Sequence, residues 1–255
     1  MKKLKMCLKL MRITHWSKNI LVFIPVLFIG VNYLGLEHLY SLTIAFLIFS
    51  LTASCIYILN DIWDLESDKL HFEKKFRPIA NDDISLSGAF SLLIFIICII
   101  LILLMTLERY VDLSIVLIIY FILNCLYSYR LKEFAIVDVF FLGAFYVLRL
   151  FAGASVIDIV LSSWLVSFIS LFFFGLAILK RYSEVQEISL RPNENILTRR
   201  PYKKEDLNFL LLMGYGSSLA SVLVLCIYLN SPKFQQIFKS ESWFLILIGT
   251  IFFWI

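Results

Sequence analysis

The amino-acid sequence predicts an all-α protein, a polytopic bundle of membrane-spanning helices, and three observations carry that expectation. Of 255 residues, 61% are hydrophobic, and the mean hydropathy is +0.89; a soluble domain of this size has no core large enough to hide so much apolar side chain. The apolar residues gather into long charge-poor runs, and a helix needs about 20 of them to cross hydrocarbon. The 23 lysines and arginines crowd alternate connections between those runs.

Taken in order, Met1–Lys18 is a basic amphipathic stretch with no small-residue cleavage site ahead of the first apolar run, so it reads as a membrane-surface segment. Spans are expected at about 20–36, 39–60, 86–107, 111–129, 134–157, 160–180 and 207–229. An eighth begins near Ser242 and reaches Ile255; that length rises only about 21 Å against about 30 Å of hydrocarbon, so the chain is expected to be truncated in its C-terminal spans. Two connections are long, 61–85 and 181–206, and both carry charges of both signs. They suggest two four-helix halves, each presenting one functional loop, within a single transmembrane domain over 1–255.

Nineteen basic residues fall on one side of these spans and three, Arg109, Lys233 and Lys239, on the other. The positive-inside rule then puts the N-terminus and both long loops in the cytoplasm. Anionic headgroups, not nucleic acid, are the natural partner of such basic loops. The five cysteines have no metal-ligand or redox spacing, and the three histidines are scattered, which speaks against zinc.

The strongest chemical signal is Asn60-Asp61-Ile62-Trp63-Asp64-Leu65-Glu66-Ser67-Asp68, where the second span leaves the membrane. If the helix continues, Asn60, Asp61, Asp64 and Asp68 share an arc of about 100° and Glu66 points away. Carboxylates crowded on one face repel unless a cation lies between them, and oxygen-only ligands suit Mg²⁺ bridging to phosphates. Downstream, Lys74, Lys75 and Arg77-Pro78 supply cations that can clamp an anion against that metal. In the fifth span Asp138 and Arg149 lie eleven residues apart, within about 20° on the helical wheel, where an ionisable residue is a functional hypothesis. Lys180 and Glu184 form an i,i+4 pair.

Asn60-Asp61-x-x-Asp64-x-x-x-Asp68 resembles the first aspartate-rich motif of the UbiA superfamily of intramembrane prenyltransferases. The likeness is nearest to the polyprenyl-phosphate phosphoribosyltransferase branch. It extends through Thr14–Asn19, Ser54–Tyr57, His71…Lys74…Arg77-Pro78, Tyr127–Lys132, Asp138, Arg149 with Gly153, and Lys180–Glu184. Prenyl-transferring members usually carry a second aspartate-rich motif after the sixth span; Lys180-Arg181-Tyr182-Ser183-Glu184 stands there instead. Phe72 and Asn81-Asp82-Asp83 also depart from the family pattern.

The resemblance implies nine spans in the intact chain and transfer of a 5-phosphoribosyl group from phosphoribosyl diphosphate to a polyprenyl phosphate such as decaprenyl phosphate. Asp61, Asp64 and Asp68 are then the Mg²⁺ ligands, and Lys132 and Arg149 orient the 5-phosphate. Lys18, Arg77, Lys180 or Arg181 hold the lipid phosphate, and Asn60, Lys74, Tyr127, Asp138 and Glu184 complete the substrate site. The partners are a lipid-phosphate acceptor and a soluble diphosphate donor, in a plasma membrane with the site facing the cytoplasm; a homo-oligomer is compatible with this reading. Two alternatives stand beside it: transfer of a prenyl group from its diphosphate to an aromatic acceptor, and a multi-span transporter.

Overall fold

The computed structural model describes residues 2–28, 35–71, 73–190 and 202–229, with Phe234 and Gly249. Among these residues the fold is helical throughout, with eight α-helices: α1 (Lys2–Leu10), α2 (Leu36–Trp63), α3 (Leu65–Leu70), α4 (Leu86–Leu104), α5 (Tyr110–Tyr129), α6 (Val137–Val156), α7 (Ser163–Leu190) and α8 (Leu207–Leu229). Six of them, α2 and α4 to α8, are long and apolar enough to cross a membrane. The expected spans from 39 to 229 are all present, most within three residues at each end. The eighth segment near Ser242 lies outside the described residues.

Three details go beyond the sequence reading. Of the first span, expected at about 20–36, residues 20–28 belong to a 3₁₀-helix over Ile13–Phe28, and 29–34 lie outside the described residues. Trp16 is half-buried and Asn19, Val22 and Pro25 are buried, a stripe of strict period three that an α-helical count disperses. The connection at 61–85 begins helical, as the shared arc of carboxylates requires: α2 runs to Trp63, bends at Asp64 and resumes as α3. Finally, α7 continues ten residues beyond 180, because Arg181 is buried and paired where a charged residue was expected to end the span.

The chain divides into two compact units, with boundaries inside α5 and α6. Unit 1 comprises 1–26, 34–125 and 149–159. Its core joins Leu10 of α1, Leu51, Cys55 and Ile58 of α2, Ile79, and Ala89, Leu93 and Ile96 of α4. Ser85 caps α4 by accepting the Gly88 N–H, satisfying one of the donors a helix start leaves open. The 3₁₀ stripe lies along α2: Trp16 Nε1 donates to Ser54 Oγ at 3.1 Å and Asn19 Nδ2 to Ser50 Oγ at 2.9 Å. A period-three row thus meets a period-four row.

Unit 2 comprises 27–33, 126–148 and 160–255. Val139 of α6, Ala177, Ile178 and Val185 of α7 and Leu210 of α8 form its core. Helices α7 and α8 approach closely because Gly175 faces Gly214 and Ser218, and Ser217 Oγ donates to Leu171 O at 2.8 Å. Tyr146 and Phe173 stack at 3.9 Å between α6 and α7.

Candidate active site

In unit 1 the charged end of α2 supplies the first cluster. Asp61 and Asp68 are buried, at 3% and 1% exposure, whereas the Glu66 side chain is 88% exposed. The division of faces read from the helical wheel therefore holds across the bend at Asp64, where the Asp68 N–H still donates to Asp64 O at 2.8 Å. Asp64 itself is half-buried at the bend, and Asn60 is half-buried one residue before Asp61.

Two arginines close on the buried carboxylates. Arg77 Nη1 lies 2.5 Å from Asp68 Oδ2 and 3.1 Å from Asp61 Oδ1. Pro78 directs this: the residue before a proline is pushed to extended backbone, and Arg77 has φ −67°, ψ 146°. Arg12 Nη2 reaches the same Asp61 Oδ1 at 2.6 Å, and its guanidinium lies over the Tyr57 ring, 4.8 Å from the centroid. Sequence reasoning counted Arg12 only among the cytoplasmic charges. Its position just ahead of Thr14–Asn19 was the available signal.

A second cluster in unit 1 surrounds Arg149, which is 5% exposed on α6. Its Nε donates to Asn19 Oδ1 at 2.7 Å and Nη2 to the Tyr120 hydroxyl at 3.5 Å, and its guanidinium lies near the Phe49 and Tyr120 rings. Ser50, which fixes Asn19, is eleven residues before Asp61 on α2, about 16 Å along the axis. Arg149 and Asp138, which share a face of α6 on the helical wheel, are held by different partners. Lys18 is exposed on the 3₁₀ segment, and Lys74 is exposed on the short turn Lys74–Phe76.

Unit 2 holds a third cluster. Asp138 is 0% and Arg181 2% exposed, and the two are joined by Arg181 Nε to Asp138 Oδ2 at 2.6 Å and Nη2 to Oδ1 at 3.2 Å. Tyr127 donates to Asp138 Oδ1 at 2.7 Å, and Arg181 Nη1 donates to Glu184 Oε2 at 2.7 Å. Arg181, one of four basic residues considered for the lipid phosphate, is engaged by carboxylates here. Lys180 is exposed beside it, and Lys132 sits half-buried on the turn Leu131–Glu133. Tyr202, not singled out from the sequence, accepts the Ile136 N–H at 3.0 Å; burial pushes its hydroxyl above the usual tyrosine range.

Among the described residues no three His, Cys, Asp or Glu side chains stand close enough to hold a metal ion by themselves. Mg²⁺ asks for less, commonly one or two carboxylates completed by water and substrate phosphate. Asp68 Oδ1 is buried with no hydrogen-bond partner in the structure, an oxygen suited to a hard cation. The donor set at the end of α2 therefore fits such an ion.

A profile of the UbiA prenyltransferase family matches residues 21–230. The chain belongs to the UbiA family. Decaprenyl-phosphate phosphoribosyltransferase of Mycobacterium tuberculosis is 28% identical over 254 residues, covering 92% of this chain and 76% of that protein. An uncharacterized protein of Sinorhizobium fredii is 32% identical over 234 residues, covering 91% of this chain; the chain spans only 45% of that relative's length. Among solved structures, a UbiA homolog from Archaeoglobus fulgidus bound to DMAPP and Mg²⁺ has a TM-score of 0.71 at 16% identity, over 97% of this chain and 85% of its own. At that identity the likeness is one of fold, and the fold is UbiA-type.

Proposed function

We propose that this UbiA-family membrane transferase moves a 5-phosphoribosyl group from phosphoribosyl diphosphate to a polyprenyl phosphate, with Mg²⁺ as cofactor. The observation that carries the reading is Arg181. In unit 2, at the place where prenyl-transferring members usually bring a second carboxylate platform, Arg181 engages both Asp138 and Glu184. In unit 1, by contrast, the arginine-paired cluster keeps a buried carboxylate oxygen, Asp68 Oδ1, without a hydrogen-bond partner and suited to the cation of a metal–diphosphate. The similarity to decaprenyl-phosphate phosphoribosyltransferase supports the same donor.

In the reaction the bond from ribose C1 to the diphosphate oxygen breaks and a lipid-phosphate oxygen bonds to C1. The acceptor is already ionised at pH 7, so no residue need remove a proton. Asp61 and Asp68, with Asp64 beside them, would hold Mg²⁺, which would supply positive charge against the departing diphosphate. Arg77 and Arg12 stand where they can add charge-assisted hydrogen bonds to the same group. Arg149 is the candidate for the donor's 5-phosphate, and Asn19 and Tyr120 orient its guanidinium. Lys18, Lys74, Lys132 and Lys180 remain candidates for the phosphates of donor and acceptor. The site faces the cytoplasm of a plasma membrane on this reading, so the soluble donor enters from water and the lipid from the bilayer.

The test is transfer of labelled ribose phosphate from phosphoribosyl diphosphate to a polyprenyl phosphate by purified protein in detergent with Mg²⁺. Labelled lipid is the expected product. The second reading, prenyl transfer to an aromatic acceptor, is favoured by the fold shared with the DMAPP-bound homolog. It prevails if phosphoribosyl diphosphate is ignored and a prenyl diphosphate is consumed.

A further inference from the structure

At the end of α2 the two buried carboxylates are met by two guanidinium groups, Arg12 and Arg77. Bare, Asp61 and Asp68 would repel each other; here guanidinium groups lie against both carboxylates. A divalent cation arriving alone would have to displace a guanidinium from Asp61 and leave that charge without a partner. A cation arriving with an anion would not, because the anion offers the displaced guanidinium a new one.

Two observations single out the place and the residue. Asp68 Oδ1, buried and without a hydrogen-bond partner, is a carboxylate oxygen reached by neither arginine. Arg77 is paired with both carboxylates and Arg12 with Asp61 alone, so Arg12 is the better placed of the two to exchange. Its backbone is anchored, since Leu10 is buried in the unit 1 core and Lys9 Nζ donates to Phe76 O at 2.9 Å. Its guanidinium rests over Tyr57, a support that does not depend on Asp61, and a quarter of its side chain is exposed. Arg77 spans both carboxylates from a backbone set by Pro78.

We propose that Arg12 is an exchange residue. Its guanidinium neutralises Asp61 when no divalent cation is bound, and passes to a diphosphate oxygen when cation and diphosphate bind together. Cation and diphosphate therefore bind cooperatively, each weakly without the other. The inference rests on the proposed function only in requiring a metal–diphosphate, which phosphoribosyl and prenyl donors share.

The experiment uses the purified full chain in detergent, with Mn²⁺ as the spectroscopic cation and inorganic diphosphate as the anion. Bound Mn²⁺ is followed by electron paramagnetic resonance, and retention of labelled diphosphate is measured at fixed Mn²⁺. Wild type should bind Mn²⁺ at least about fivefold more tightly when diphosphate is present. Arg12→Gln and Arg12→Ala should bind Mn²⁺ alone more tightly than wild type, by about fivefold or more, and retain less diphosphate. Glu66→Gln should match wild type in both. If Arg12→Ala loses its monodisperse profile on size exclusion, Arg12→Gln, which keeps a hydrogen-bonding amide near Asp61, decides. Unchanged or weaker Mn²⁺ binding in the folded Arg12 variants overturns the proposal, as does a wild type whose Mn²⁺ affinity ignores diphosphate. Failure of ribose-phosphate transfer would leave these outcomes untouched, so the two readings fail separately.

Discussion

Arg181 is the largest side chain among the fully buried residues, and both faces of its guanidinium edge are occupied, by Asp138 on one side and Glu184 on the other. Its removal strands a buried carboxylate. Arg181→Ala should lose about 3–5 kcal/mol of stability, seen as a lower melting temperature in detergent, whereas Tyr127→Phe, which deletes one hydrogen bond, should lose about 1 kcal/mol. Equal melting temperatures for wild type and Arg181→Ala would mean the pair contributes nothing to the fold. At the other cluster the prediction concerns turnover. Asp61→Asn and Asp68→Asn should each lower turnover by about 10²-fold or more, while Glu66→Gln, exposed on the far face, should be close to neutral. A Glu66→Gln loss as large as that of Asp61→Asn would remove the distinction of faces. The aspartates were legible because spacing along one helix fixes direction. Arg12 was not, since its partner lies forty-nine residues away and no local period links the two.

At the scale of elements, the 3₁₀ segment explains why Gly153 has no side chain. A Cβ there would fall on the Val22 carbonyl oxygen and meet the Pro25 ring, and a backbone carbonyl cannot turn aside. Gly153→Ala should therefore cost about 1–3 kcal/mol or more through overpacking. Gly216→Ala, on an open face of α8 with nothing within 4 Å of the new carbon, should be neutral or gain up to about 1 kcal/mol in helix propensity. Thermal melts of the two purified variants check the contrast, and a Gly153→Ala protein as stable as wild type would refute the close approach. The bounds of α8 were read to the residue because charged Lys203–Asp206 precede a clean apolar run. The winding of the first span was not legible, because the length of an apolar run carries no period, and the row at 16, 19, 22 and 25 begins ahead of the run expected from 20. The end of α7 was misplaced because Lys180-Arg181 looks like a helix boundary until Asp138 is known to receive the arginine.

For the whole molecule, hydropathy and charge asymmetry carried the membrane class and most spans, since both are sums over many residues and tolerate local error. The same asymmetry makes a prediction of sidedness. Single cysteines introduced at Lys74 should be labelled from the cytoplasmic side of intact cells, and those at Glu37 and Asp158 from the outside; labelling of position 74 from outside would reverse the orientation. What sums cannot convey is which helix is enclosed. Along the apolar stretch of α2, 67% of residues are buried, against only 17% in α4 and α5. For α4 and α5 nearly any apolar alphabet will serve, as the side chains there answer mainly to their surroundings' oiliness. For α2, each letter is read by a neighbour. Apolar exchanges should accordingly be tolerated over much of α4 and α5, outside Ala89, Leu93, Ile96, Tyr120 and Tyr127, while α2 keeps its spelling.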